Sequence, residues 1–414
     1  MSFDAIADMQ PVLTLFTAAT ASGEGDSYRL NDRFVEGMRQ HLRDWPGPVR
    51  VVMRDSGPGE YPGSRLHPVA TLDYAVVLLP PGVPLESALV AEPGVVMADA
   101  DLPDHLPLAR AARRLGLGVV FGVEQTLQTR LRAVMHNRSK SLGRRLWSAG
   151  WNLRQEYRLR RALRDADGVQ LNGYPVSREY ACLNRNAMRF LDNRMRRDML
   201  ADHADLAARR AYLTGGGPLR LVHSGRLEPW LGAQNLIPLA DALRSRAIPF
   251  TLVIEGRGSL SDHIRDQIAA RGLGDHVTLP GLVPFERVLV PMFRRQADLL
   301  ISCRVQAEPS GVFVEAMASG LPVLGYENLM LSPLIRDSGG GWTVPMDDLA
   351  GMVQVIDGLN RNRRRLTERS EAALDYARRH DFETEFRART TPSASGLCQD
   401  PPRADRPWRI AAMA

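Results

Sequence analysis

Residues 297–325 read ADLLISCRVQAEPSGVFVEAMASGLPVLG, and the order of residue types in them decides the architecture. Leu299-Leu300-Ile301 is a short apolar run of the kind that forms a buried strand. A polar loop carrying Gln306 and Glu308 follows. Pro309-Ser310-Gly311 starts a helix with Ser310 at the N-cap. The helix is expected over Val312 to Ser319, ended by Gly320, and Leu321 to Gly325 is the next strand. A helix N-terminus at the carboxyl end of a parallel strand is a ready anion site, because its first backbone N–H groups lack partners within the helix and the dipole points there. Those groups belong to Ser310, Gly311 and Val312. Glu315 lies four residues after Gly311, under the same face one turn down. A lone glutamate on a helix is usually a solvated charge. This one is surrounded by Val312, Phe313, Val314, Ala316, Met317 and Ala318, so it leaves an apolar helix for a purpose. Backbone donors suit a diphosphate, and a carboxylate just below suits a vicinal diol, since it can accept two O–H bonds. The site reads as one built for a nucleoside diphosphate.

The run Glu315-Ala316-Met317-Ala318-Ser319-Gly320-Leu321-Pro322-Val323 resembles the E-A-M-A-x-G-x-P-V signature of the GT-B glycosyltransferases, in particular the retaining family 4-like group (glycosyl transferases group 1). The resemblance implies that Glu308 faces the donor sugar and Glu315 the nucleotide ribose. The family pair has seven residues between its members, whereas Glu308 and Glu315 have six. Gln306-Ala307-Glu308-Pro309-Ser310 is similar instead to the Q-x-D-P-S form of a bacterial polysaccharide-type subgroup, with Glu in place of Asp.

At 414 residues the chain can hold two domains, each with its own core. A hydrophobic share of 44% and a charged share of 24% are those of a soluble globular protein rather than a disordered or membrane-spanning one. The net charge of +6 rests almost wholly on arginine, with Lys140 the one lysine. Cys182, Cys303 and Cys398 have neither an even count nor metal spacing, which reads as free thiols in a reducing compartment. No run is long and apolar enough to span a bilayer, and the acidic start MSFDAIADMQ is unlike a signal peptide. A cytoplasmic protein is expected.

In the first half, strands are expected at Val12–Thr17, Val49–Met53, Tyr74–Leu79, Gly94–Met97, Leu117–Val123 and Asp167–Asn172. Helices are expected over Tyr28–Leu42 and Leu106–Leu115. The alternation argues for a parallel sheet wound on both faces. Ala18 to Ser27 reads as a small-residue loop in which Gly23 and Gly25 let the backbone come close to a ligand, or simply turn. Family resemblance places this loop on the acceptor side, together with Glu124 and Arg130, and makes His105 a candidate near the donor sugar. Asp99-Ala100-Asp101 matches a D-x-D metal motif only formally, so no metal is expected. From Arg130 to Arg164 eleven cationic side chains accompany a single acid, Glu156, and interleave with Leu142, Leu146, Trp147, Trp151 and Leu153. That pattern suits an anionic membrane surface; it equally suits a helix whose apolar face packs on the sheet. No nucleic-acid recognition motif accompanies the charge.

In the second half, strands at Leu219–His223, Phe250–Glu255 and Val277–Leu279 and helices at Gln234–Arg246, Glu286–Gln296, Asp348–Leu359 and Arg361–His380 complete the pattern. Gly225-Arg226-Leu227 resembles the family's G-R-L turn, whose arginine reaches the donor diphosphate; a planar, always-charged fork suits that task. The family's lysine before the next glycine is here Leu231, ahead of Gly232, and Arg257 is the nearest candidate to replace it. Gly256-Arg257-Gly258 stands where the family's loop covers the nucleotide, and Leu282 where backbone groups hold the base.

The resemblance implies an α/β protein of GT-B fold: two Rossmann-like, doubly wound parallel-sheet domains facing across a cleft. Residues 1–195 read as the acceptor domain and 196–217 as a linker. Residues 218–389 read as the nucleotide-sugar donor domain, its last helix crossing back, and 390–414 as a disordered tail. The implied reaction moves a hexosyl unit from a UDP or GDP sugar to a carbohydrate or lipid-linked acceptor, with retention and without a cofactor, in polysaccharide or glycoconjugate biosynthesis. Arg226 would hold the leaving diphosphate. The rival readings are a non-catalytic GT-B scaffold in a polysaccharide assembly system and a sugar-nucleotide epimerase. Localisation is expected in the cytoplasm, with peripheral attachment to the inner membrane face through residues 130–164.

Overall fold

Short runs rich in Val, Leu and Ile become parallel strands in both halves of the chain. The computed structural model describes residues 10–57, 59, 64–136, 141–307 and 309–390. Glu308, Lys140, Cys398 and the tail expected after Thr390 lie outside them. The chain divides into two units. The first runs to Phe190 and takes in the chain again from Glu385; the second is Leu191–Thr384.

The first unit carries β1 (Val12–Glu24), β2 (Ser27–Asn31), β3 (Val49–Asp55), β4 (Ser64–Pro68), β5 (Ala75–Leu79), β6 (Gly94–Asp99), β7 (Gly118–Val123), β8 (Gly168–Asn172) and β9 (Ala187–Phe190). β5, β3, β1, β6, β7, β8 and β9 lie side by side, all parallel. The expected loop over 18–27 is not a loop. β1 continues through it, shifts register between Phe16 and Thr20, and pairs antiparallel with β2, which pairs antiparallel with β4. The reason is the Gly25-Asp26 turn. Gly25 sits at φ 59°, the positive φ that a two-residue hairpin demands, and the Glu24 carboxylate takes the Arg29 guanidinium at 2.7 Å across the hairpin. The helix expected from Tyr28 accordingly begins only at Asp32 and runs to Asp44. Leu30 is buried from a strand, not from the helix whose spacing it happens to match.

The second unit's sheet has the order β12–β11–β10–β13–β14–β15, every pair parallel. The strands are β10 (Leu219–Ser224), β11 (Phe250–Glu255), β12 (Val277–Gly281), β13 (Leu299–Ser302), β14 (Val323–Tyr326) and β15 (Gly341–Val344). A sheet covered on both faces needs strands apolar on both faces, and β13 and β14 are buried at every residue. The direction of winding reverses between β10 and β13. At such a switch point ligands sit outside the carboxyl ends of the strands.

Residues 196–217, read as a linker, fold within the second unit. The His203–Thr214 helix is fixed by an Asp202 capping box and carries Arg209 into the interior. The buried Arg209 guanidinium donates to the carbonyls of Ala297 (3.0 Å), Phe293 (2.7 Å), Arg294 (3.0 Å), Ser319 (3.0 Å) and Gly320. Those carbonyls include the ends of the Val290–Arg295 and Gly311–Ala318 helices, where acceptors are left over and the dipole is negative. The two helices expected over 348–359 and 361–380 are present as Leu349–Arg361 and Arg364–Ala377, separated at Asn362 and Arg363. The last described helix is Phe382–Thr390, whose Arg389 binds Gln170 of the first unit's β8 at 3.0 Å.

Arg209→Met keeps the stem but strips several buried carbonyls of their donor. Each such loss costs on the order of 1–3 kcal/mol, so the second unit should lose about 3 kcal/mol or more, read as a lowered calorimetric transition. An unchanged transition would show that other donors replace it.

Candidate functional site

In the second unit, four strand-end loops converge on the switch point. Gly225 follows β10 at φ 148°, and Gly256 follows β11 at φ 127°. The Gly225 N–H donates to the Glu255 carbonyl at 3.2 Å, and the Leu227 N–H to the Arg257 carbonyl at 3.0 Å. A Cβ on Gly256 would collide with the Gly225 carbonyl, and one on Gly258 with that of Leu227. Glycine is therefore dictated here by close backbone approach, which the G-x-G spelling alone does not reveal. Glu255 is buried at the end of β11. Its carboxylate accepts the Ser224 hydroxyl at 2.6 Å and the Val283 N–H at 3.3 Å. It thereby ties the ends of β10 and β11 to the loop after β12, where Leu282 stands exposed. Glu255 is absent from the sequence-based candidates, although an acid closing the apolar run Phe250–Ile254 and preceding Gly-x-Gly is a signal for it.

The Gly311–Ala318 helix starts as expected, with Ser310 in the N-cap position, but the Ser310 side chain makes no capping bond. Glu315 is 4% exposed. Its Oε1 lies 3.4 Å from where a Cβ on Gly311 would stand, so it does sit beneath the helix N-terminus. Sequence reasoning missed its partner. Arg194 binds Glu315 in a fork, Nε to Oε1 at 2.8 Å and Nη2 to Oε2 at 3.1 Å, and its guanidinium lies 3.7 Å over the Phe285 ring. A carboxylate offers about four lone-pair sites and the fork uses two, so a diol can still be accepted. Arg194 is held by residues 121 positions away in sequence, and no local pattern announces such a pairing.

Arg226 is exposed beyond Gly225. Leu231 is buried, so the position of the family lysine is packed into the core. Arg257, expected as the replacement, is exposed and leans the other way: its Nε lies 3.6 Å from where a Cβ on Gly281 would stand, at the end of β12. Glu308 lies outside the described residues.

The first-unit candidates fall in three places. Gly23 and Gly25 lie in the β1–β2 hairpin. His105 is not a surface residue but a buried one. Its Nδ1 accepts the Asp99 N–H at 3.1 Å, and its ring meets Phe16 edge-on at 6.3 Å. Burial holds its pKa down at about 4, with Arg54 acting the same way against Asp104 and the Asp99 backbone. Glu124 is exposed, while its N–H and that of Gln125 donate to the Asp101 carboxylate at 2.6 and 3.2 Å. Burial, and then the Asp99 charge, push that carboxyl up to about 7. Arg130 is ion-paired with the buried Glu156, which also takes Arg160 at 2.6 Å and the Tyr180 hydroxyl at 3.0 Å. Its cation is committed to the fold. Among the described residues no group of three or more His, Cys, Asp or Glu is arranged to hold a metal ion.

The Leu142–Asp165 helix is inverted over its first four turns. Ser148, Asn152, Gln155 and Glu156 are buried. Leu142, Leu146, Trp147, Trp151, Leu153 and Tyr157 are exposed, Leu142 at 68% and Tyr157 at 69%. Over those turns the apolar side chains do not pack on the sheet, whereas Leu159, Ala162 and Leu163 further along the helix are buried in the first unit's core.

Comparison with known proteins places the second unit. Residues 206–380 match the family model of the glycosyl transferases group 1. The amylovoran biosynthesis glycosyltransferase of Erwinia amylovora is 28% identical over 175 residues, 41% of this chain and 41% of that protein. A phosphatidyl-myo-inositol mannosyltransferase of Mycobacterium leprae is 32% identical over 157 residues, 37% of this chain and 40% of that protein. The matches thus span about two fifths of these relatives' length. Likeness of fold reaches further. Anabaena HepE, solved with UDP, superposes with a TM-score of 0.64 at 16% identity over 92% of this chain and 98% of its own. WaaG, a glycosyltransferase involved in lipopolysaccharide biosynthesis, superposes at 0.58 and 15% identity over 91% and 98%.

The His105 pKa predicts a pH dependence. The unfolded histidine protonates near 6.5 and the folded one only near 4. Its contribution is therefore full above pH 6.5 and is lost as pH falls toward 4, at about 1.4 kcal/mol per pH unit. Asp101 works in the opposite sense, its contribution being lost as pH rises toward 7. Urea unfolding of His105→Asn, which keeps an acceptor for the Asp99 N–H, should show the acid-side loss reduced by one proton. An identical slope in both proteins would contradict the buried neutral ring.

Proposed function

We propose, from the match of residues 206–380 to the glycosyl transferases group 1 family model on a GT-B fold, that this protein moves a hexosyl unit from a UDP or GDP sugar, with retention, to a carbohydrate or lipid-linked acceptor. The observation that carries the proposal is the switch-point geometry of the second unit. Glycine-lined turns after β10 and β11 stand beside a helix N-terminus, with the Glu315 carboxylate beneath it. Donor N–H groups would take the diphosphate and Glu315 the ribose hydroxyls. Arg226 would add a cation where charge develops on the leaving diphosphate, a stabilisation that grows toward the transition state. The sequence-based assignment of Glu308 to the sugar hydroxyls is retained as part of the proposal, and His105, held neutral, as a positioning group near the sugar. Glu124, Gly23 and Gly25 are assigned to the acceptor side. Bacterial polysaccharide assembly is the proposed setting, supported by what the relatives' names say of them.

Calorimetric titration with UDP, GDP and ADP tests the donor site. One nucleotide should bind, and Glu315→Ala should weaken it about tenfold or more, the worth of a lost pair of hydrogen bonds to a charged group. Absence of binding near millimolar concentration (about −4 kcal/mol) would favour the scaffold reading. Conversion of a sugar nucleotide with no acceptor present would favour the epimerase.

A cytoplasmic location with peripheral membrane attachment belongs to the same proposal. No described helix is long and apolar enough to cross a membrane. The inverted Leu142–Asp165 helix instead offers Leu142, Leu146, Leu153 and Tyr157 as one exposed stripe at helical spacing, flanked by Arg144, Arg145, Arg154 and Arg161. Apolar residues entering the headgroup boundary beside arginines is the interfacial-helix arrangement, each arginine worth about 1 kcal/mol near anionic lipid. The protein should sediment with phosphatidylglycerol-containing vesicles, less so at high salt, and Leu146→Ser/Trp147→Ser should abolish the binding. Equal binding by the double variant would remove this helix from the account.

A further inference from the structure

We propose that Arg304 supplies the second cation of the donor-diphosphate site, the one missing where Leu231 stands; this rests on the donor-site reading above and deepens it. Leu231 carries no charge and is buried. Gly232 beside it, at φ 77°, is packed so tightly on Cys303 that a Cβ there would overlap the Cys303 carbonyl. The loop that would present the lysine is thus sealed against the end of β13. The residue after Cys303 is Arg304.

Three observations place its guanidinium at the switch point. Nη2 of Arg304 lies 3.0 Å from where a Cβ on Gly225 would stand, so the side chain reaches from β13 across to the turn after β10. Its Cζ is 5.9 Å from the centre of the Phe313 ring, in the first turn of the Gly311–Ala318 helix. Its charge is felt by His223 on β10, whose pKa burial chiefly, and Arg304 in addition, hold down at about 4. The guanidinium therefore lies between the two elements that would hold the diphosphate: the Gly225-Arg226 turn and the helix N-terminus. The Arg304 carbonyl accepts from Asn328 Nδ2 at 3.3 Å, which anchors the backbone behind it. Any side chain at 225 would contest this space with Arg304, a reason for glycine beyond φ alone. A planar fork can grip two phosphate oxygens, where an ammonium acts as a point charge. Replacement of lysine by arginine from another strand would thus preserve the charge and alter the geometry of the grip.

The test compares nucleotides that differ by one phosphate. UDP, UMP and uridine, and the guanine and adenine series, are titrated into the whole chain and into Arg304→Ala, Arg304→Gln and Arg304→Lys. The wild type should prefer the diphosphate to the monophosphate. Arg304→Ala should weaken the diphosphate about tenfold or more, leave the nucleoside unchanged, and so narrow the diphosphate-to-monophosphate ratio. Arg304→Lys should restore part of the ratio. Arg304→Gln, which keeps a stem over Phe313, should repeat the alanine result if the alanine variant does not fold. Equal weakening of nucleoside and diphosphate would mark a structural role and overturn the assignment, as would an unchanged ratio. If the wild type binds a nucleoside diphosphate normally in those cases, the donor site stands without Arg304. If the wild type binds none, the donor reading falls and this assignment with it.

Discussion

The second unit depends on one buried cation. Arg209 donates to carbonyls at the C-terminal ends of two helices and to the carbonyl of Ala297 just before β13. An arginine with no carboxylate in contact is costly to bury, and burial pulls its pKa down to about 10. What offsets the cost is a concentration of carbonyl acceptors around the guanidinium. Helix C-termini leave carbonyls over, and here two such ends face the same spot. The arrangement also fixes Gly320, at φ 62°, since a Cβ there would fall 2.6 Å from Leu206 and 3.0 Å from Arg209. The Gly311–Ala318 helix is thus pinned at its C-terminus by a cation.

The opposite end is shaped by backbone proximity instead of side chains. Gly225, Gly256 and Gly258 let the turns after β10 and β11 lie against each other with carbonyls where a methyl would sit. Glu255 then fastens both to the next loop. The outcome is a rim of closely packed main-chain groups at the strand ends, with Arg226, Arg257 and Arg304 among the side chains nearby. Arg257 and Arg304 follow the two strands that flank β10, and each leans one strand over in the same sense, Arg257 to the end of β12 and Arg304 to the turn after β10. Each ends beside a strand-end glycine, so equivalent-looking arginines in the sequence serve different neighbours.

How far the sequence could be read follows from the range of the interactions involved. The 297–325 stretch was legible because its strand, cap, helix stop and next strand are encoded in adjacent residues. The positions of the second unit's strands along the chain were legible for the same reason. The β1–β2 hairpin was misread because Ala18 to Ala21 carry no alternation, and one Gly-Asp turn decides the matter. Arg194 with Glu315, and Arg209 with its carbonyls, were invisible: each joins residues more than eighty positions apart, and an arginine in an arginine-rich chain carries no local mark. His105 was read for its chemistry, whereas its burial reveals that its ring nitrogen completes the backbone bonding of β6.

The Arg194–Glu315 fork bears on how a carboxylate in this position can work at all. A glutamate 4% exposed in a helix of Val, Phe, Ala and Met would be costly as an unpaired anion. The fork makes the ionised form affordable while leaving lone pairs unspent, and the Phe285 ring under the guanidinium keeps Arg194 from turning away. Arg194 lies only a few residues past Phe190, where the second unit begins. The segment that enters the unit therefore also charges its site. A change in the path of residues 191–196 would therefore alter the hydrogen bonding at Glu315 without touching the helix itself.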